Sequence, residues 1–219
     1  MRVGLAALLA VVGLLAVAQV VLPRVAAGRV RSRVGRYGSV RSVSVSAWPA
    51  VELLWGDVGS VRVRARQLSL SPAQAASLLW EGRGASSMDL SAEVVRLGSL
   101  RVTDASLRKR GSSLSASALA SESDVKAALP EGFDVSLLRS GDGQVEVRAS
   151  GALFGVGASV DAVAGASDGK LVAHPLGFLI EAFQLTLFSN PHVYVQGVGA
   201  SVAGRQPLSY RLSMSARLG

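Results

Sequence analysis

Apolar and polar residues alternate with a period of two along much of the chain. Val43, Val45 and Ala47 alternate with Ser42, Ser44 and Ser46, and Val61, Val63 and Ala65 with Arg62, Arg64 and Arg66. Met88, Leu90, Ala92 and Val94 keep the habit, as do Leu114, Ala116 and Ala118. Val145, Val147 and Ala149 follow, then Val156, Ala158, Val160 and Ala162. The longest run sets Leu208, Tyr210, Leu212, Met214, Ala216 and Leu218 against Ser209, Arg211, Ser213, Ser215 and Arg217. Successive side chains of a strand point to opposite faces, so each run predicts a strand with one apolar and one wet face. That pattern belongs to antiparallel sheet. Glycine-bearing turns over 140–143 and 165–169 separate several runs.

Helical spacing interrupts the strands in three places. Ser71-Pro72-Ala73-Gln74 reads as a capping box with proline at the first helical position, and Gly82 supplies a stop. Ser121 to Leu129 is a second candidate, ended by Pro130. After Pro23, the residues Ala26, Val30, Val34 and Tyr37 share one face while the arginines fall off it. This predicts a short amphipathic helix to about Tyr37. The expected class is α+β, a long antiparallel sheet with a few helices. Its apolar faces are rich in Ala and Val, and the chain has only eleven aromatics. Walls this thin can enclose a hollow, or let sheets pack closely.

The N-terminus is different in kind. Val3 to Leu22 carries no charge and one polar side chain, Gln19. As a helix it would span about 30 Å, the thickness of a bilayer core. It reads as an uncleaved anchor, or as a signal peptide cut after Ala16-Val17-Ala18. The chain thus divides into residues 1–22, a transmembrane or signal segment, and 23–219, the folded body.

Charge sharpens this division. The net charge of +8 arises wholly within residues 1–66, which hold ten arginines against Glu52 and Asp57. The remainder is balanced. Arg24, Arg29, Arg31, Arg33 and Arg36 follow the apolar segment closely. They read as a collar on anionic head groups, each worth about 1 kcal/mol near such a surface, or as the wet face of a helix packed on the body. By the positive-inside rule they place the body in the cytoplasm, whereas a lone N-terminal segment leading a compact domain reads as an export signal. The Arg62–Arg66 strand lacks the interleaved aromatics of a nucleic-acid platform, so no nucleic-acid partner is expected.

Candidate chemistry is sparse. The absence of cysteine excludes disulfides, thiolate metal sites, a Cys nucleophile and a lipoprotein anchor. His174 and His192 each adjoin a proline, at 175 and 191, and are expected to serve turns. No nucleophile elbow, phosphate loop, zinc motif or paired carboxylates stand out. The chain is therefore expected to be non-catalytic, with no metal and no cofactor.

One order of segments is distinctive. Val21-Leu22-Pro23-Arg24 leads into the Arg-rich helix, followed by Val43-Ser44-Val45, then Trp48-Pro49-Ala50-Val51-Glu52-Leu53-Leu54-Trp55-Gly56, then Val61 to Ala65. Later come Asp168 to Pro175 and Leu187-Phe188-Ser189-Asn190-Pro191-His192-Val193-Tyr194-Val195. This order resembles the LmeA-like phospholipid-binding proteins of actinobacterial cell envelopes, over nearly the whole chain after Leu22. The resemblance implies an extracytoplasmic body with a tubular, TULIP-like lipid-binding architecture, held at the cell membrane or secreted if cleaved. It implies a protein that binds, and on a stronger reading carries, phospholipid in an apolar groove. A structural domain binding another envelope protein is the alternative. Two apolar blocks are candidates for contacting acyl chains: Trp48, Leu53, Leu54 and Trp55, and then Phe178, Ile180, Phe183 and Phe188. The plainer reading is that both blocks are ordinary core.

Overall fold

The computed structural model describes residues 22–46, 58–129, 131–153, 156–177 and 184–219. The apolar segment 1–21 lies outside them; among the described residues no helix is long and apolar enough to cross a membrane. Helix α1 covers residues 22–35. Strands β1 (Gly38–Ser46) and β2 (Val58–Leu70) precede α2 (Pro72–Glu81). Three strands follow, β3 (Ala85–Leu97), β4 (Leu100–Arg110) and β5 (Ser113–Ser121), then α3 (Glu122–Ala128). The rest is strand: β6 (Phe133–Gly141), β7 (Gln144–Leu153), β8 (Val156–Ser167), β9 (Lys170–Leu176), β10 (Leu185–Phe188), β11 (Val193–Arg205) and β12 (Leu208–Leu218).

The helices form where local chemistry places them. Ser71 accepts from the Gln74 N–H at 3.2 Å while the Gln74 side chain accepts from the Ser71 N–H at 2.8 Å, closing the capping box. Gly82 caps the far end. Ser121 caps α3 by accepting from Asp124 N–H at 3.1 Å. In α1 the apolar stripe turns inward: Val34 is buried, and Ala26, Ala27 and Val30 pack on the main core.

The strands do not make one long antiparallel sheet. They make two open sheets, ordered β1-β2-β3-β4-β5-β12-β11 and β10-β9-β8-β7-β6. One pairing, β2 with β3, is parallel, because α2 carries the chain back across the sheet between them. The remaining pairs are antiparallel. Asp142-Gly143 and Asp168-Gly169, all with positive φ, make the tight turns of the β6–β7 and β8–β9 hairpins. The second turn is therefore narrower than the 165–169 stretch expected; Gly165 lies inside β8.

A crease crosses the larger sheet. Along β2 the inward residues run Val61, Val63, Ala65 and then step by three to Leu68; along β3 they run Met88, Leu90, Ala92 and then Val95. In β4 the step falls between Val102 and Ala105, where Asp104 takes a positive φ of 47° and the register with β5 shifts. Val40 and Val43 repeat it in β1, again at a register shift. These steps share one level, since Val40, Ala65, Ala92 and Ala105 are cross-strand neighbours. An extra residue in a strand bends it and increases its twist, so four aligned steps curve the sheet while keeping one apolar face inward. This also corrects one sequence assignment: Val95, and not Val94, is on the core face.

The main core lines the inside of this curve, with Val63, Ala65, Val102 and Ala120 at most 3% exposed. Each fully buried Val or Leu contributes roughly 1.5–3 kcal/mol. The two sheets meet at β11, whose Val195 and Val198 N–H groups donate to Gly169 O and Gly143 O, both at 2.8 Å. The turns of one sheet thus satisfy the free edge of the other.

Candidate functional site

Helices α1 and α2 lie over the creased face without filling it. Between them and the sheet is a cavity of about 450 Å³, within the roughly 300–1,000 Å³ of small-molecule sites. Its walls are aliphatic. Val30 and Val34 come from α1, and Ala75, Leu78 and Leu79 from α2. Strands β2 to β4 supply both sides of the crease: Val61, Val63, Leu68 and Leu70; Met88, Leu90, Ala92, Val95 and Leu97; Leu100, Val102, Ala105 and Leu107. Ala116, Ala118, Leu212 and Met214 close the far side. The alanines matter here, because a small residue at a core-facing position leaves volume that a leucine would occupy.

Two charged residues line the cavity among the described ones, Arg33 on α1 and Glu81 on α2. Arg33 Nη1 donates to Glu81 Oε2 at 2.8 Å. Both side chains are about half exposed, at 54% and 45%, so the pair marks where the cavity meets solvent. The other polar lining residues are Tyr37 and the serines at 91, 106, 117 and 213. An oily chamber with one ion pair at its mouth can hold a hydrocarbon chain. Among its described lining residues, Ser106 and Ser117 hydrogen-bond each other and Ser213 donates to the Gly199 carbonyl.

Beside this mouth, at the C-terminal end of α2, Trp80 stacks on His192 at 3.9 Å and Arg83 lies 4.3 Å over the same ring. His192 serves a turn, as expected, but His174 sits half-buried within β9, where Pro175 is accommodated opposite Ala162.

The residues expected from sequence to contact acyl chains fare unevenly. Trp48, Leu53, Leu54, Trp55, Phe178, Ile180 and Phe183 lie outside the described residues. Phe188 does not line the cavity; it packs with Ala76, Leu114, Val193 and Ala216 in a second, smaller cluster. Of the arginine collar, Arg24, Arg29 and Arg31 are exposed on α1 and Arg36 in the turn that follows it, whereas Arg33 is tied to the cavity mouth. The aliphatic lining itself was visible in sequence only as the apolar side of alternating strands, with no local mark separating a cavity wall from a filled core.

No curated protein and no solved structure matches the chain. The sequence profile of the LmeA-like phospholipid-binding family matches residues 13–214, nearly the full length. By this match the chain belongs to the LmeA-like phospholipid-binding family.

Proposed function

We propose that this protein holds a phospholipid non-catalytically, with acyl chain in the cavity between α1, α2 and the creased sheet and head group at the mouth. The observation that carries this is the cavity's lining, aliphatic throughout apart from serines, one tyrosine and one rim ion pair. Burying hydrocarbon there gains about 0.8 kcal/mol per methylene, so affinity needs no specific polar contact along the chain. The curved sheet closed by helices is on this reading a form of tubular lipid-binding architecture. The exposed arginines of α1, next to the apolar segment, hold the cavity mouth near an anionic membrane surface, with the body on the extracytoplasmic side.

The test uses the full chain in detergent. Native mass spectrometry with lipid extraction is expected to find phospholipid in wild type. In Ala116→Phe, which fills the cavity from β5, binding is expected to fall at least tenfold while cooperative unfolding is kept. A wild-type protein that neither retains nor takes up phospholipid defeats the proposal. Protease accessibility in spheroplasts checks the side of the membrane; a body protected in intact spheroplasts overturns that part.

A further inference from the structure

We infer that Arg33 and Glu81 are the head-group station of the cavity, an ion pair that a lipid phosphodiester opens by replacing the Glu81 carboxylate on Arg33. This rests on the reading of the cavity as an acyl site. The two residues are 48 positions apart in sequence and belong to the two helices that cover the cavity. Among the described lining residues they alone are charged, and they sit where the apolar walls end. A lipid with its tail among Leu78, Leu90 and Leu97 therefore carries its polar end to this pair.

The electrostatics favour exchange over simple addition. A guanidinium binds carboxylate and phosphate through the same fork of N–H donors, so a phosphodiester can take over the bond that Glu81 makes. The bond given up is a half-exposed one, and such pairs contribute little to stability. Arg29 and Arg36 join Arg33 in lining a second groove along α1 and the turn after it, so the neighbourhood keeps an excess of positive charge after the exchange. Among the described lining residues Glu81 is the one carboxylate. It lowers the attraction for any anionic group that arrives, and it holds α1 against α2 when none is present.

The experiment compares two probes with the same pyrene-labelled acyl chain, phosphatidylglycerol and diacylglycerol, titrated into the full-length protein in detergent. Arg33→Gln is expected to weaken phosphatidylglycerol about tenfold and to leave diacylglycerol within about twofold. Glu81→Gln, which removes the competing carboxylate, is expected to tighten phosphatidylglycerol about threefold. The double variant Arg33→Glu/Glu81→Arg rebuilds an ion pair with its charges exchanged between helices, and is expected to stay weak for phosphatidylglycerol. If the single variants shift both probes equally, or if the charge swap restores phosphatidylglycerol binding, the pair is a latch between helices and the head-group assignment is wrong. Wild-type protein that binds neither probe would overturn the acyl-site reading itself, and this assignment with it.

Discussion

Lys109 shows how much one bulge decides. It follows Ala105 and Leu107 on the inward side of β4 and is only 2% exposed, a burial unusual for lysine. Its ammonium donates to the carbonyl of Arg83 at 3.0 Å and to that of Ala85, fastening the connection between α2 and β3. Burial pushes its pKa below the ordinary 10.5, since a low dielectric disfavours the charged form. In the unfolded chain the ordinary value returns. Between the two values the unfolded state binds more protons, so this group makes stability rise with pH there, up to about 10.5. Lys109→Met removes the charge but leaves two carbonyls without their donor. We expect a net loss of about 1–3 kcal/mol in urea denaturation at neutral pH, together with loss of the alkaline rise. A variant as stable as wild type would show that those carbonyls find other partners.

At the scale of elements, the crease depends on counting residues. Asp104 is the extra residue in β4, and deleting it reverses the face of every residue from Ala105 to Arg110. Ala105, Leu107 and Lys109 would then turn outward, and the charged Arg108 and Arg110 inward. The deletion is expected to abolish cooperative thermal unfolding. Asp104→Gly, which keeps the count and suits the positive φ, is expected to be neutral or to stabilise by up to about 1 kcal/mol. A deletion variant that unfolds cooperatively near the wild-type temperature would mean that the bulge can migrate. The same counting explains what the sequence does and does not disclose. Capped helices such as α2 and α3 are written within a few neighbouring residues and are read directly. Strand β12 keeps a clean period of exposed and more buried residues from Tyr210 to Leu218. Strand β4 hides because its period breaks at Asp104, and β11 because Gly197, Gly199 and Gly204 dilute its pattern across two register shifts. The division into two sheets, the parallel pair and the cavity are all long-range facts. Arg33 shows the same limit at the site: it reads as one member of a collar until Glu81, on another helix, comes beside it.

Over the whole molecule, the two sheets differ in how firmly they are held. Among the described buried apolar residues, Val145 and Val172 alone belong to the five-stranded sheet; the others lie in α1, α2 or the seven-stranded one. The smaller sheet also exposes Phe133, Leu138, Leu176, Leu185 and Leu187. It is joined to the larger through β11, where Ala200 N–H also donates to Ser140 Oγ at 2.9 Å, and where the Cα of Gly143 would lie 3.1 Å from any Cβ added at Gly197. That seam is narrow beside the core that unites β1 to β5 with α1. Regions with few buried apolar contacts open at lower free energy than the core they adjoin. In hydrogen–deuterium exchange of the apo protein, the amides of β2 to β5 are therefore expected to be protected longest, and those of β6 to β10 to exchange first. Added phospholipid extends the test, because a ligand stabilises the parts of the native state that its binding site requires. Protection is expected to rise in α1, α2 and β2 to β4, which enclose the cavity, with little change in β6 to β9. A lipid-dependent rise centred on the smaller sheet would move the binding site there and remove the cavity from the mechanism.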